Sequence, residues 1–284
     1  MNSVRYRTPQ AFLDAVEPFL LADEACHNLL LGIPARLIAR GPAAAEGVYL
    51  AAAVDRGRIA GAAMMTPPWH MVLSKTAHPD AVRCIAEDAA AIRPAPAGVN
   101  ALEDVAPEFV GIWRRLTGEP AQRILTERIH RLDAVRPVPD VAGRLRPADT
   151  TDRPLLVCWL QAFADEIFTG DKRRPGNAQT VVDDRLATPG EGIVLWEDSE
   201  ARCVAGYGSG TKHGIRIGPV YTPPEHRNRG YATACVAALS RQLLEQGRRF
   251  CMLFTDLENP GSNRIYQRIG YEPVCDVAEY RFIR

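Results

Sequence analysis

Residues 227–232 read Arg-Asn-Arg-Gly-Tyr-Ala and combine two cations with small residues. Guanidinium groups bind anions through charge and through paired hydrogen bonds. Gly230 and Ala232 have little or no side chain, so an anion can approach the backbone beside them. The residue types therefore favour an anion site, and a diphosphate is a ligand that could come close to such a backbone.

The flanking segments predict a strand before this loop and a helix after it. Residues 215–222 are rich in β-formers, and two prolines end the run because proline cannot donate to a strand ladder. Apolar residues then recur on one helical face from Ala232 to Leu244, and Gly247 ends that helix. The free N–H groups and the positive dipole end of the helix would face the loop, which strengthens the anion site.

Residues 218–247 resemble motif A of the GNAT N-acetyltransferase superfamily, whose pyrophosphate loop reads Gln/Arg-x-x-Gly-x-Gly/Ala. The resemblance implies that the loop binds the diphosphate of acetyl-CoA. The residues that it assigns to this role are Arg227, Asn228, Arg229, Gly230, Tyr231 and Ala232. Such a short motif counts only in its structural context, which the preceding strand and the following helix supply. The alternative is an ordinary loop between a strand and a helix.

The strand before the loop has its own role in this interpretation. A splayed strand edge would leave N–H groups unpaired, and the pantetheine amides of the coenzyme could add to it as a further strand. A backbone N–H near Val220 or Tyr221 would then polarise the thioester carbonyl. The coenzyme-binding residues expected there are Val220, Tyr221 and Thr222. The alternative is that these residues pair normally within the sheet.

A second constellation follows in residues 256–271. It resembles GNAT motif B, Asn-x-x-Ser/Ala-x-x-x-Tyr-x-x-x-Gly-Phe/Tyr, at Asn259, Ser262, Tyr266, Gly270 and Tyr271. Ser262 and Tyr266 are four residues apart and share one helix face, while Asn259 lies in a loop where it can bond a pantetheine amide. By the resemblance, Tyr266 protonates the departing coenzyme A thiolate, since a phenol holds its proton at pH 7. A core tyrosine with a satisfied hydroxyl is the alternative.

The general base is not assigned, because the base of this superfamily has no fixed position in a motif. Five carboxylates could lie near a C-terminal strand edge: Asp165, Glu166, Glu197, Glu225 and Asp256. The six histidines lack metal-ligand spacing, so no metal is expected.

Composition limits the function classes. The 34 basic and 34 acidic residues balance, so no strong field favours nucleic acid. The seven cysteines are odd in number and show no Cys-x-x-Cys spacing, which predicts free thiols in a reducing compartment rather than disulfides. No apolar run reaches the length of about 18 residues that a membrane helix needs. We therefore expect a cytoplasmic protein that contacts neither membranes nor nucleic acids.

Two halves are predicted, joined by the alternating prolines of residues 136–140. The second half, residues 141–284, is expected in the order β-α-α-β-β-β-α-β-α-β, which is the GNAT order. Its predicted elements include helices over residues 155–163 and 178–186 and two closing strands over residues 272–283.

The first half, residues 1–140, shows the same order more faintly. Residues 112–118 occupy the place of residues 265–270, but residues 75–80, in the place of the arginine-glycine loop, contain no glycine. We expect an α/β fold with an α+β mixed sheet, built as two tandem GNAT-like units. Residues 1–140 would be a degenerate unit without a coenzyme site, and 141–284 the catalytic unit. An unrelated first α/β domain is the alternative.

The expected function is an N-acetyltransferase that moves the acetyl group of acetyl-CoA directly to an amine of a small molecule or peptide in a ternary complex. One alternative is a non-catalytic regulatory protein that binds acyl-CoA on the same fold. Another is an acyltransferase for a longer acyl chain. The sequence leaves open which amine is the acceptor and whether the chain forms a homodimer.

Overall fold

A computed structural model describes residues 1–92, 94–167 and 176–283. In chain order the first elements are β1 (Asn2–Arg5), α1 (Pro9–Leu20), α2 (Asn28–Arg40), β2 (Tyr49–Asp55), β3 (Arg58–Met65), β4 (Met71–Leu73), α3 (Asp80–Ala90), β5 (Gly98–Leu102), α4 (Ala106–Thr117) and β6 (Ala121–Leu132). The remaining elements are β7 (Arg144–Pro147), α5 (Arg153–Ile167), α6 (Ala178–Ala187), β8 (Gly192–Asp198), β9 (Glu200–Gly208), β10 (Gly214–Tyr221), α7 (Tyr231–Glu245), β11 (Phe250–Asp256), α8 (Pro260–Ile269) and β12 (Glu272–Phe282).

The chain forms two compact units whose borders differ from the predicted border after Asp140. The first unit comprises Met1–Ile129 together with Val274–Arg284, and the second comprises His130–Pro273. The final segment belongs to the first unit because β12 pairs with β5 over five residues, from Val277 opposite Leu102 to Arg281 opposite Gly98. Patterns within a single sequence report local periodicity, so they do not reveal a pairing between such distant segments. The two closing strands predicted for residues 272–283 are one strand in the structure.

The first unit is a mixed sheet with helices. Its strand order is β1-β2-β3-β4-β5-β12, in which β4 and β5 are parallel and the other pairs are antiparallel. Phe12, Val16 and Leu20 follow each other at four-residue spacing on α1 and are fully buried. They pack with apolar side chains of α2, β2 and β3, so a single helical face of α1 closes this core.

The second unit is also a mixed sheet, with strand order β11-β10-β9-β8-β7. Among the described residues of this sheet, β10 and β11 run parallel and the other neighbouring pairs are antiparallel. Buried residues of α7, including Cys235, Leu239 and Leu243, pack with strand residues in one apolar cluster. Leu156 of α5 and Val182 of α6 pack with strand residues in a second apolar cluster. The apolar face predicted for α7 is the buried one.

The prediction that all seven cysteines are free thiols is wrong for one pair. Cys26, between α1 and α2, forms a disulfide with Cys275 of β12, and their Cα atoms are 6.3 Å apart. The remaining cysteines, Cys84, Cys158, Cys203, Cys235 and Cys251, are free. A sequence separation of 249 residues hides such a partnership from spacing rules, which detect only neighbouring cysteines. In the part of the chain that the structure describes, no helix has the length and hydropathy needed to cross a membrane.

Candidate active site

The parallel strands β10 and β11 pair only at their beginnings. The register joins Gly214 to Phe250, Ile215 to Cys251 and Arg216 to Met252. Both strands continue beyond these pairs, β10 to Tyr221 and β11 to Asp256. The later part of β10 therefore has an edge on its β11 side that is not engaged by that strand.

A bulge lies in this later part of β10. Ile217 stands opposite Tyr207 of β9, whereas Val220 stands opposite Ala205, so two residues of β10 face the single residue Gly206. The two residues are Gly218, with a φ of 140°, and Pro219, which follows a cis peptide bond. A bulge bends its strand and re-aims the groups that follow it. Here those groups are the predicted coenzyme contacts at Val220, Tyr221 and Thr222.

The loop after β10 leaves a run of backbone donors unused. Residues 228–233 donate no backbone hydrogen bond to any residue that the structure describes. The first bond inside α7 is donated by the N–H of Ala234 to the carbonyl of Gly230, at 3.0 Å. Asn228 (φ 61°) and Gly230 (φ 86°) adopt the left-handed conformation that turns the chain into the helix. The first turn of α7 contains no acidic residue, so the positive helix end is not neutralised.

The two loop arginines differ in their contacts. Arg229 is exposed and has no hydrogen-bond or ion-pair partner among the described residues. Arg227 is held by the protein: its Nε donates to the carbonyl of Thr222 at 2.9 Å, and its Nη2 donates to both carboxylate oxygens of Glu166 at 2.8 and 2.7 Å. The remaining residues of the predicted loop lie at the start of α7, where Tyr231 donates its hydroxyl to Asp198 at 3.0 Å.

Tyr221 joins this arginine to the strand. Its hydroxyl donates to Glu166 at 3.1 Å, and the Arg227 guanidinium lies 5.7 Å from the centre of its ring. Burial, and then the hydrogen bond to Glu166, raise the pKa of the Tyr221 phenol. The neighbouring Thr222 has a buried Oγ1 that finds no hydrogen-bond partner within the described residues. The sequence did not indicate the contribution of Glu166 to this loop, because 61 residues separate it from Arg227.

Tyr266 lies on α8, half-buried against the core that surrounds α7. Its ring meets the Tyr271 ring edge-on, with the centroids 5.9 Å apart. Burial, followed by the neighbouring thiols of Cys203 and Cys235, raises the pKa of Tyr266, so the phenol stays protonated at neutral pH. No hydrogen bond, ion pair or ring contact joins Tyr266 to residues 220–232 in the described part of the chain.

The other motif B residues have mainly local contacts. The N–H of Asn259 donates to the carbonyl of Asp256 at 3.0 Å, and the carbonyl of Asn259 accepts from Asn263 at 3.1 Å. Gly270 ends α8 with a φ of 113°, and Tyr271 shares a 2.9 Å hydrogen bond with Ser240. The side chain of Ser262 lies outside the described ones.

The candidate carboxylates are spread over different surroundings. Glu197 pairs with Arg144 and Arg146, whose hydrogen bonds lower the pKa of this carboxyl. Asp256 accepts from the N–H of Glu258 in the turn after β11. Glu166 is the carboxylate in direct contact with Tyr221 and Arg227. Among residues 1–92, 94–167 and 176–283, no group of three His, Cys, Asp or Glu side chains could hold a metal ion.

Comparisons with known proteins find similarity in the segment that contains this candidate site. Residues 205–282 match the family model described as FR47-like protein, and this range contains the bulge, the loop, α7 and α8. A tandem GNAT protein from the clavulanic acid biosynthesis pathway aligns with a TM-score of 0.55 and 14% identity, over 99% of this chain and 98% of its own. The chain has the tandem GNAT fold.

Other solved structures also align along nearly the whole chain. A GCN5-related N-acetyltransferase from Sphaerobacter thermophilus has a TM-score of 0.60 at 17% identity, covering 99% of this chain and 96% of its own. A Drosophila protein has a TM-score of 0.70 at 11% identity, covering 99% and 98%. No curated protein sequence matches the chain. The predicted family resemblance and fold class are thus confirmed, at the level of fold.

Proposed function

We propose that this chain is an N-acetyltransferase that takes its acetyl group from acetyl-CoA and transfers it to an amine of a small molecule or peptide. The observation that carries the proposal is the run of N–H groups at residues 228–233 that find no partner among the described residues. They follow a bulged strand that pairs with β11 only at its beginning. A helix start with free donors binds phosphate groups, and an unpaired strand edge binds amides. Coenzyme A has both kinds of group.

The donor would be held by the backbone more than by side chains. The N–H groups of residues 228–233, with the guanidinium of Arg229, which no described residue pairs, would bind the diphosphate. Val220, Tyr221 and Thr222 would offer their edge to the pantetheine amides, and Asn259 would contribute from the turn after β11. Arg227 would contact the diphosphate only if its ion pair with Glu166 breaks.

The chemistry would be direct transfer. The neutral amine attacks the thioester carbonyl, the tetrahedral oxyanion is stabilised by a backbone N–H near Val220 or Tyr221, and the C–S bond breaks. Tyr266 would donate a proton to the departing thiolate, because the raised pKa keeps the phenol protonated at neutral pH and the developing thiolate charge attracts that proton. The amine loses a proton to a base or to water, so the products are the amide and free coenzyme A.

A second candidate function is acyl-CoA binding without turnover. The absence of a hydrogen bond, ion pair or ring contact between Tyr266 and residues 220–232, among the described residues, favours it, since a proton donor must reach the sulfur. Measuring free thiol release with a panel of amines distinguishes the two, using acetyl-CoA and longer acyl-CoA donors. Amine-dependent thiol release supports the enzyme. Calorimetric binding of acetyl-CoA without release from any donor supports the binding protein, and no binding at all contradicts both.

A further inference from the structure

Arg227 is bound on three sides by its own chain. Thr222 accepts from Nε, Glu166 accepts from Nη2 with both oxygens, and the Tyr221 ring lies beside the guanidinium. We call these four residues the Arg227 cluster. Glu166 comes from the end of α5, whereas the other three belong to β10 and the loop after it. The cluster therefore ties the phosphate loop to a helix that is far from it in sequence.

We propose that Glu166 competes with the diphosphate of the coenzyme for Arg227, so that donor binding must release the contact between α5 and the loop. The inference rests on the proposed function only in requiring that coenzyme A binds at residues 228–233. A carboxylate and a phosphate use the same fork of guanidinium N–H groups. Two anions that share one cation also repel each other, so the diphosphate is held best when the carboxylate is absent.

Release of Arg227 from Glu166 would also affect Tyr221 of β10. Tyr221 donates its hydroxyl to the same Glu166 oxygen that accepts from Arg227, and the backbone of Tyr221 lies in the proposed pantetheine edge. The diphosphate and pantetheine ends of the donor would therefore be coupled through one carboxylate. The Arg227 and Glu166 side chains are 41% and 43% exposed, so their contact is weak enough to exchange.

The test measures coenzyme A affinity by calorimetry in the full chain. Glu166→Gln removes the competing charge and should strengthen coenzyme A binding about two- to fivefold, the range that an exposed ion pair contributes. Binding of pantetheine, which has no diphosphate, should change less. Unchanged coenzyme A affinity in a folded Glu166→Gln variant overturns the inference while leaving coenzyme A binding itself intact. Failure of the wild-type chain to bind coenzyme A overturns the proposed function as well.

The chain offers a matched control. Arg153 of α5 donates to both oxygens of Asp183 in α6, with exposures of 42% and 51%, so this pair resembles the first in type and exposure. Asp183→Asn should leave coenzyme A affinity unchanged. An equal gain in both variants would mean that any lost negative charge strengthens binding, which contradicts competition for Arg227.

A double variant separates local competition from a general field effect. Arg227→Gln keeps a residue that the GNAT loop pattern allows, and it removes the contested cation. In that background, Glu166→Gln should have no further effect on coenzyme A affinity. If Glu166→Gln still strengthens coenzyme A binding in the Arg227→Gln background, Glu166 acts at a distance and the inference fails. The same conclusion follows if about 1 M salt, which reduces the screening length to about 3 Å, abolishes the stronger binding equally with and without Arg227.

Discussion

The loops after β4 and β10 hold the same place in the two units but use their backbone donors differently. In the first unit, the N–H of Lys75 donates to His27, that of Ala77 to the carbonyl of Ala60, and that of Asp80 to His78. In the second unit, residues 228–233 leave their N–H groups free of protein partners among the described residues. Two loops in the same fold can therefore differ in function because one satisfies its donors internally.

The two units also differ in the charge at the helix start and in the length of the strand before the loop. The first turn of α3 contains Asp80, whose carboxylate opposes an anion there, whereas the first turn of α7 contains no acid. β4 has three residues, while β10 has eight and carries the bulge. These differences support the proposal that only the second unit binds the coenzyme.

The largest effect is expected from removing the proposed proton donor of the second unit, a group that the first unit lacks. Counted back from the glycine that ends each helix, Arg114 stands where the second unit has Tyr266, because the N–H of Gly118 donates to the Arg114 carbonyl as that of Gly270 does to the Tyr266 carbonyl. A guanidinium does not lose a proton in proteins, so it cannot serve as an acid there. Tyr266→Phe should lower kcat about 10²–10⁴-fold with little change in acetyl-CoA affinity. Its rate should recover partly as pH rises, because a thiol with a pKa near 8.5 then leaves as the thiolate.

Steady-state kinetics over a pH series test this prediction. Tyr271→Phe is the control, since it removes the hydroxyl that bonds Ser240 and should cost about 1 kcal/mol of stability without a comparable loss of kcat. Wild-type turnover in Tyr266→Phe would make Tyr266 a core residue and assign the proton to water.

The disulfide allows the independence of the units to be tested. Cys26→Ser removes the link to Cys275 and should lower the stability of the first unit by about 2–4 kcal/mol. Coenzyme A affinity should not change, because both cysteines belong to the first unit. Denaturant unfolding with coenzyme A titration measures both quantities. A thiol count of seven in the unfolded, unreduced wild-type chain would show that the disulfide does not form.

Gly230 tests whether the left-handed start of α7 forms the site. Gly230→Val puts a β-branched residue at φ 86°, with its Cβ 3.0 Å from a Val141 methyl group, so it should cost about 1–3 kcal/mol of stability. Coenzyme A binding should weaken about tenfold or more if the diphosphate meets this backbone, by the loss of about one charged hydrogen bond.

Gly118 ends α4 with a φ of 78° and has open space around it, which makes Gly118→Val a control for backbone strain alone. Calorimetry should show normal coenzyme A affinity in that variant. Equal affinity in the Gly230 and Gly118 variants would place the diphosphate elsewhere.

The smallest effect is expected from single charges at the two helix starts. Arg229→Ala should weaken coenzyme A binding about two- to fivefold, as expected for one exposed charge contact. Asp80→Asn, at the start of α3, should leave the affinity unchanged. A gain from Asp80→Asn would indicate that the first unit also contributes an anion site, which would contradict the comparison of the two loops.

The sequence predicted elements that are periodic and local. The helix expected over residues 155–163 lies within α5, and the one over residues 178–186 lies within α6. The start of α7 was predicted because its signals, two arginines and a glycine before an apolar face, are adjacent in the chain.

The features that escaped prediction depend on distant partners. Glu166 reaches Arg227 across 61 residues, and Cys26 reaches Cys275 across 249. No periodicity or motif encodes such contacts, because the fold creates them. The border of the first unit was missed for the same reason, since it depends on the pairing of β12 with β5.

The place of β12 has a consequence for how the protein is made. Domains generally fold during synthesis with the N-terminal one first, at about 5–20 residues per second. The first unit cannot follow this order, because the strand that pairs with β5 is translated after the whole second unit. For on the order of ten seconds, while residues 130–273 are translated, β5 presents an unpaired edge of the kind that invites aggregation. A chain that terminates before residue 274 would keep this edge open, so the first unit can close only after β12 has been translated.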